Sequence, residues 1–323
     1  MRQSTGFHMY VSYQDDDKVS IYRVDRGSGD VVLQEDVAMA GGPAPMALSP
    51  DQRVLHVGLR GSQQLASYRV DQRTGGLSSI RAVPLQGEPV YLSTDRTGRF
   101  VLSAYYYQST AGVHAVGSDG AATIPPIEWR MTAHGAHAIQ TDRANRFAFV
   151  PHIANRGPNA IFQFRFDQNT GRLTANTPDR HSPTEYLGPR AFAFHPTLDT
   201  VYFSDEQNGS VTGYRLAPSA GTLTPFQTIS TLPVGYDQPN TCSQIHMVPS
   251  GKFLYAPNRG HNSVASFTVD STSGRLTATG RVATEPVPRA FNVDPTGHFL
   301  YVGGLDSGRL ASYGIDQNTG ELT

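Results

Sequence analysis

What the chain has little of sets its bounds. A single cysteine, Cys242, occurs in 323 residues. No internal disulfide can form, and no CxxC or Cys/His spacing surrounds it to suggest zinc. Charged residues make up only 16% of the chain and leave a formal net charge of −1. That balance offers no basic field to nucleic acid and no acidic tail, so no polymer partner is expected, and a small anion would have to be held by local charges. No apolar run approaches a membrane span. The opening segment MRQSTGFHMYVSY passes almost directly into alternating residues, without the apolar core of a signal peptide. A soluble cytoplasmic protein is expected, with no membrane partner. Long Leu/Ala/Glu/Lys periodicity is missing too, which argues against helices. In its place stand 32 glycines, 22 prolines and 10% aromatics, a composition that favours an all-β chain.

One phrase recurs seven times: VSIYRVDRGSGDV, LASYRVDQRTGGL, VHAVGSDGAA, IFQFRFDQNTGRL, VTGYRLAPSAGTL, VASFTVDSTSGRL and LASYGIDQNTGEL. Its first half alternates apolar and polar residues, the period of a half-buried strand. Its second half reads as a hairpin turn, with Asp accepting from the backbone two residues on and Gly supplying positive φ. Between the copies lies a second phrase, as in SPDQRVLHV, STDRTGRFVLS, QTDRANRFAFV, HPTLDTVYFS, VPSGKFLYA and DPTGHFLYV. Each is another reversal followed by a β-branched or aromatic strand. About four strands in a period of roughly 45–50 residues is the pattern of a β-propeller. Seven copies predict an all-β, seven-bladed β-propeller with about four antiparallel strands per blade, as a single domain over 1–323.

Function is sought where the repeat is broken, because this fold hosts many unrelated activities. Two inner-strand phrases carry arginine, GPRAFAFHP (Arg190) and VPRAFNVDP (Arg289). AHGAHAIQTD brings His134 and His137 to about the same place, and TCSQIHMVP puts Gln244 nearby. After the next strand, FSDEQNGSV gives Glu206 and APNRGHNSV gives Arg259 and His261. Arginine offers a planar fork of donors to phosphate or carboxylate. A carboxylate or imidazole among arginines can act as general base on water, and the guanidiniums can stabilise an oxyanion. Ester hydrolysis on a small anionic substrate fits this set. The plain alternative is a structural ion pair between Glu206 and an arginine. His152, His246 and His298 read as structural or surface histidines, Asp15 to Asp17 as a solvated turn, Cys242 as a small residue near an inner strand, and Tyr105 to Tyr107 as pocket wall or rim.

The phrases GPRAFAFHP, SQIHMVPSGKFLYAPNRGHNSV and PRAFNVDPTGHFLYVGG resemble the seven-bladed propeller lactonase family, whose best-known members are bacterial 6-phosphogluconolactonases. The resemblance spans nearly the whole chain. It implies a hydrolase of carbohydrate metabolism, in the pentose phosphate pathway, that opens 6-phosphogluconolactone or another small anionic sugar-derived lactone without cofactor or metal. The family's proposed site falls on His137, Arg190, Glu206 and Arg259 as catalytic residues, with Arg289 also matched; Gln244 and His261 join as substrate-binding candidates. Fungal 3-carboxy-cis,cis-muconate lactonizing enzymes share the fold and nearly the same constellation, so a cycloisomerase is the alternative enzyme, and a propeller that binds a ligand without chemistry is the third reading.

The chain departs from the family at three places. Gln244 stands in SQIH where SEIH is frequent, and PHIANRGPN replaces the more usual PDLGxD, bringing His152 and Arg156. Both changes make the mouth more positive. The chain stops at Thr323, just after the seventh turn, and its first unit starts at an interior strand near Phe7–Tyr13; a missing innermost strand and an exposed edge are therefore expected.

Overall fold

The computed structural model describes residues 6–323. Among them there is no helix, and the strands form seven antiparallel sheets in which consecutive strands pair, except that in the sixth both segments of the inner strand pair with the strand that follows them. Two compact units are distinguished, Met1–Val150 with Phe162–Asp179, and Pro151–Ile161 with Arg180–Thr323.

The first unit holds sheet 1 (Gly6–Tyr13, Lys18–Asp25, Val31–Ala38), sheet 2 (Pro43–Leu48, Val54–Leu59, Gln64–Val70, Leu77–Pro84) and sheet 3 (Tyr91–Thr94, Phe100–Tyr105, Thr110–Ala115, Glu128–Met131). Sheet 4 (Gln140–Thr141, Phe147–Ile153, Asn159–Phe166, Leu173–His181) has residues in both units. The second unit contains sheet 5 (Pro189–Phe194, Thr200–Asp205, Ser210–Leu216, Leu223–Ser230) and sheet 7 (Pro288–Val293, Phe299–Gly304, Leu310–Gly314). Between them in sequence lies sheet 6 (Phe253–Arg259, Ser263–Val269, Leu276–Ala283), whose inner strand is split into Thr241–Cys242 and His246–Met247.

The repeated Asp-x-x-Thr-Gly is the hairpin between the third and fourth strands. Asp71 Oδ1 accepts from the amides of Arg73 (2.9 Å) and Thr74 (2.7 Å), while Gly75, at φ +72°, donates its amide to the Asp71 carbonyl. The positive φ is why glycine recurs there. Equivalent bonds form at Asp25, Asp167, Asp270 and Asp316, and the backbone amides hold all five carboxyls below the usual carboxylate range. In the seventh copy the turn leads to a single bridge between Ile315 and Leu322, with Gly314 and Thr323 bonded in both directions. Sheet 1 begins directly at a second-strand phrase, and its strand Gly6–Tyr13 is half-buried along its length.

Apolar faces of successive sheets close the core. Val19, Leu55 and Val57 join sheets 1 and 2, Leu65, Leu92 and Val101 join sheets 2 and 3, and Tyr202, Leu254 and Phe267 join sheets 5 and 6. Each fully buried aliphatic side chain contributes about 1.5–3 kcal/mol before conformational entropy is counted. The tyrosine of the second phrase adds a polar latch. Tyr10, Tyr202 and Tyr255 donate their hydroxyls to the carbonyls of Gly75, Gly274 and Gly320, the hairpin glycine of the following sheet. A ring that packs and a hydroxyl that finds a fixed carbonyl explain an aromatic at that place better than burial alone.

Candidate functional site

The ends of the second strands set the geometry. The amides of Arg60, Glu206 and Leu305 donate to the carbonyls of Gly42, Gly188 and Val287 in one repeated bond. These residues are therefore equivalents, and the position before them is Leu59, Asp205 and Gly304. In sheet 6 the same two positions hold Asn258 and Arg259, which face Cys242 and Thr241.

The inner strands supply the other half. Pro189 pairs with Asp205 and Phe192 with Phe203, so one extra residue is inserted across Arg190–Ala191; Pro288 pairs with Gly304 and Ala290 with Gly303, which makes Arg289 the extra one. A bulge re-aims a side chain out of the ladder, and here it does so for both arginines. Sheet 2 has the same shift between Pro43 and Met46, with Ala44 and Pro45 in place of a charge.

In the second unit these elements bring Arg190, Glu206 and Arg259 together. Arg190 Nε lies 2.7 Å and Arg259 Nη2 3.0 Å from the same carboxylate oxygen, Glu206 Oε2. Neither contact has the alignment of a hydrogen bond: Glu206 Oε2, Arg190 Nε and Arg259 Nε are all buried without one. Arg259 does donate to the Cys242 carbonyl at 2.8 Å. Burial pulls the Arg190 guanidinium below its ordinary pKa, Glu206 opposes that, and the positive charges of Arg259 and Arg289 add to it. Arg289 itself is exposed. One carboxylate between two guanidiniums, with a third in electrostatic range, leaves an excess of positive charge.

Behind Arg259 stands a buried amide. Asn258 Oδ1 accepts from Thr231 Oγ1 (2.7 Å) and Asn240 Nδ2 (3.1 Å), and its Nδ2 donates to the Thr231 carbonyl and Ser263 Oγ. His261 contacts Ser263 Oγ through Nδ1 at 2.7 Å and stacks edge-on with Tyr236. His261 thus supports the loop after Arg259. Cys242 is buried, and its thiol is pushed up to about 12, chiefly by desolvation, which suits an inert small residue. Gln244 is half-buried, and the strand register gives Arg190's place to its neighbour Ser243, which donates to the Pro288 carbonyl at 2.7 Å and ties sheet 6 to the Arg289 strand.

Asp205, beside Glu206, is a further polar residue of this region. It is fully buried, accepts from Ser210 Oγ and Thr212 Oγ1 at 2.7 Å each, and has its pKa raised to about 7 by desolvation. A polar residue repeated at the end of the second strand, His152, Asp205 and Asn258, was the available signal. His152 is buried, His246 is pushed down to about 4 by desolvation, and His298 sits exposed on a turn against Thr296.

The first unit holds His137. It lies three residues before Gln140, as Arg190 lies three before Ala193, and these two residues have equivalent strand partners, Phe149 and Tyr202. His137 is half-buried with its ring 6.2 Å from that of Tyr106, which also meets His134 at 4.7 Å; exposed Tyr107 completes the cluster. Tyr105 is buried and accepts from Ser103. Asp17 accepts the amides of Gly41 and Gly42, so the acidic turn also anchors backbone. Arg60 pairs with Glu88 and donates to Gln14 Oε1.

Residues 8–323 match the family described as lactonase, 7-bladed beta-propeller. A 6-phosphogluconolactonase of Pectobacterium carotovorum is 33% identical over 286 residues, 88% of this chain and 84% of that protein. One from Yersinia pestis is 31% identical over the same shares. The Pseudomonas aeruginosa periplasmic gluconolactonase aligns with a TM-score of 0.89 and 25% identity, covering 98% of this chain and 94% of that one. A Bacteroides fragilis structure also reaches 0.89 at 24% identity, covering 100% and 94%, which supports the fold alone. The seven sheets are the blades of that propeller fold.

Proposed function

The chain belongs to the seven-bladed β-propeller lactonase family, and from that membership and its arginine-flanked carboxylate we propose that it hydrolyses 6-phosphogluconolactone to 6-phosphogluconate. The observation that carries the reading is Glu206, held 2.7 and 3.0 Å from the guanidiniums of Arg190 and Arg259. Two cations on one carboxylate exceed what an ion pair needs, and the surplus suits an anionic substrate and a developing oxyanion.

Glu206 takes a proton from water as its oxygen bonds to the lactone carbonyl carbon. The carbonyl oxygen becomes an oxyanion opposite the guanidiniums. Collapse re-forms the carbonyl and breaks the bond to the ring oxygen, which takes the proton back from Glu206; the acid product ionises to a carboxylate. General base catalysis of this kind contributes about 10²–10⁴-fold. His137 is the alternative base, and His137→Ala separates the two. Arg289 and His261 are assigned to binding, together with Gln244.

The reaction needs no cofactor. It needs no metal either, since hard cations want several carboxylates and the phrases that break the repeat bring mainly arginine, histidine and glutamine. We take the chain as one propeller domain over residues 1–323, acting in the cytoplasm at the lactone step of the pentose phosphate pathway. Among the described residues no helix is long and apolar enough to cross a membrane. The test is ring opening of freshly made 6-phosphogluconolactone, corrected for spontaneous hydrolysis, with and without chelator. Chelator-resistant acceleration is expected. No acceleration, or acceleration of carboxymuconate cyclisation instead, contradicts the reading.

A further inference from the structure

The arginines around Glu206 serve the reacting end of a lactone. A phosphate at the far end of a six-carbon substrate needs a cation of its own, and the loop after the second strand of sheet 4 offers one. Within PHIANRGPN, Ala154 and Arg156 both lie in the left-handed region, at φ +62° and +61°. Two non-glycine residues in that region cost about 1–3 kcal/mol each, so their surroundings must hold them there. They do. Tyr186 Oη donates to the Ala154 carbonyl at 2.9 Å, and Asn159 Nδ2 donates to the carbonyls of Pro183 and Glu185 at 3.1 and 2.6 Å.

The same loop is tied to Glu206. Asn159 Oδ1 accepts the Gly188 amide at 2.9 Å, and the Gly188 carbonyl accepts the Glu206 amide at 2.8 Å. Gly188, at φ +67°, is irreplaceable in this chain, because a Cβ there would lie 2.5 Å from the Ile153 carbonyl oxygen. Gly188 thus touches both segments, holding the Glu206 amide on its carbonyl and lying against the carbonyl of Ile153, three residues before Arg156. Arg156 is exposed, and among the described residues no carboxylate pairs with it.

Resting on the lactonase reading above, we propose that Arg156 is the specificity-determining residue of the site, the cation that reads the substrate's phosphate and so separates a 6-phosphorylated lactone from its unphosphorylated counterpart. The planar fork of arginine matches phosphate oxygens bidentately; lysine would supply charge without that fit.

The experiment measures kcat and KM of wild type, Arg156→Ala and Arg156→Lys on 6-phosphogluconolactone and on glucono-δ-lactone. Arg156→Ala is expected to lose about 10–100-fold in kcat/KM on the phosphorylated lactone, mainly through KM, and to stay within about twofold on the other. Arg156→Lys should recover part of the loss. Equal losses on both lactones, or no loss on either, overturn the proposal while leaving the lactonase reading in place. If wild type opens neither lactone, the lactonase reading falls and Arg156's role with it.

Discussion

Arg60 in the first unit and Glu206 in the second occupy one position of the repeat, each with its amide on the carbonyl of the adjoining inner segment. Their side chains meet opposite situations. Arg60 faces one carboxylate, Glu88, with Gln14 beside it, so its charge is cancelled one for one. Glu206 faces two guanidiniums, with Arg289 adding its field. Imperfect hydrogen bonding is common to both, since Arg60 Nε and Arg190 Nε are alike buried without a hydrogen bond. What differs is the charge count. Sheets 2, 5 and 7 build the same backbone socket, and the proposed site lies where the residues set into it fail to neutralise one another.

The largest effect that could break this comparison is catalytic. Glu206→Gln should lower kcat on 6-phosphogluconolactone by about 10²–10⁴-fold, while Glu88→Gln changes it less than about twofold. Steady-state rates on folded protein, checked by circular dichroism, decide it; comparable losses in both variants would mean that charge imbalance does not mark the site.

A pH effect comes next in size, and it sharpens the contrast one residue earlier, where the first unit has Leu59 and Tyr105 and the second Asp205 and Asn258. Asp205 titrates near 7 when folded against 3.8 as its ordinary value. Between those values the folded state binds the extra proton, so its contribution to stability is complete below about pH 4 and is lost as pH rises towards 7. Asp205→Asn should remove that loss. Buried His56, His114 and His246, all pushed down to about 4, shift stability in the opposite sense. The quantity to read is therefore the Tm difference between variant and wild type from pH 4 to 8. A difference that does not grow in the variant's favour contradicts the buried-acid assignment.

The smallest effect concerns the hairpins. Asp71→Ala removes an acceptor of two backbone amides and should lower Tm by roughly 2 °C. Sheet 5 makes the same turn with Ala217 at that place, its carbonyl accepting from Gly221, so Ala217→Asp should raise Tm by a similar amount. Calorimetry on both variants checks the pair.

Much of the fold was legible because the repeat states it seven times: alternation gives the strands, and Asp with Gly gives the turns. Arg190, Glu206 and Arg259 stood out for the opposite reason, as charges where neighbouring blades carry none or another kind. The bulges that aim Arg190 and Arg289 were hidden, since one extra residue in an inner strand leaves no mark in an apolar pattern. The split inner strand of sheet 6 hid in the same way that Ser243 is the register equivalent of Arg190. The pairing of Glu88 leaves no mark in the sequence because its partner Arg60 is distant along the chain and meets it only after the sheets pack. Closure of the Tyr hydroxyls on hairpin glycines is likewise a contact between sheets, invisible within either phrase alone.

Calorimetric titration of the product, 6-phosphogluconate, into wild type, Arg259→Ala and Arg60→Ala tests the central claim most directly. One site of unchanged affinity in Arg60→Ala, weakened at least about 10-fold in Arg259→Ala, is the predicted result. Equal affinity in all three proteins, or equal weakening in both variants, would contradict the claim that surplus guanidinium charge beside Glu206 makes the site.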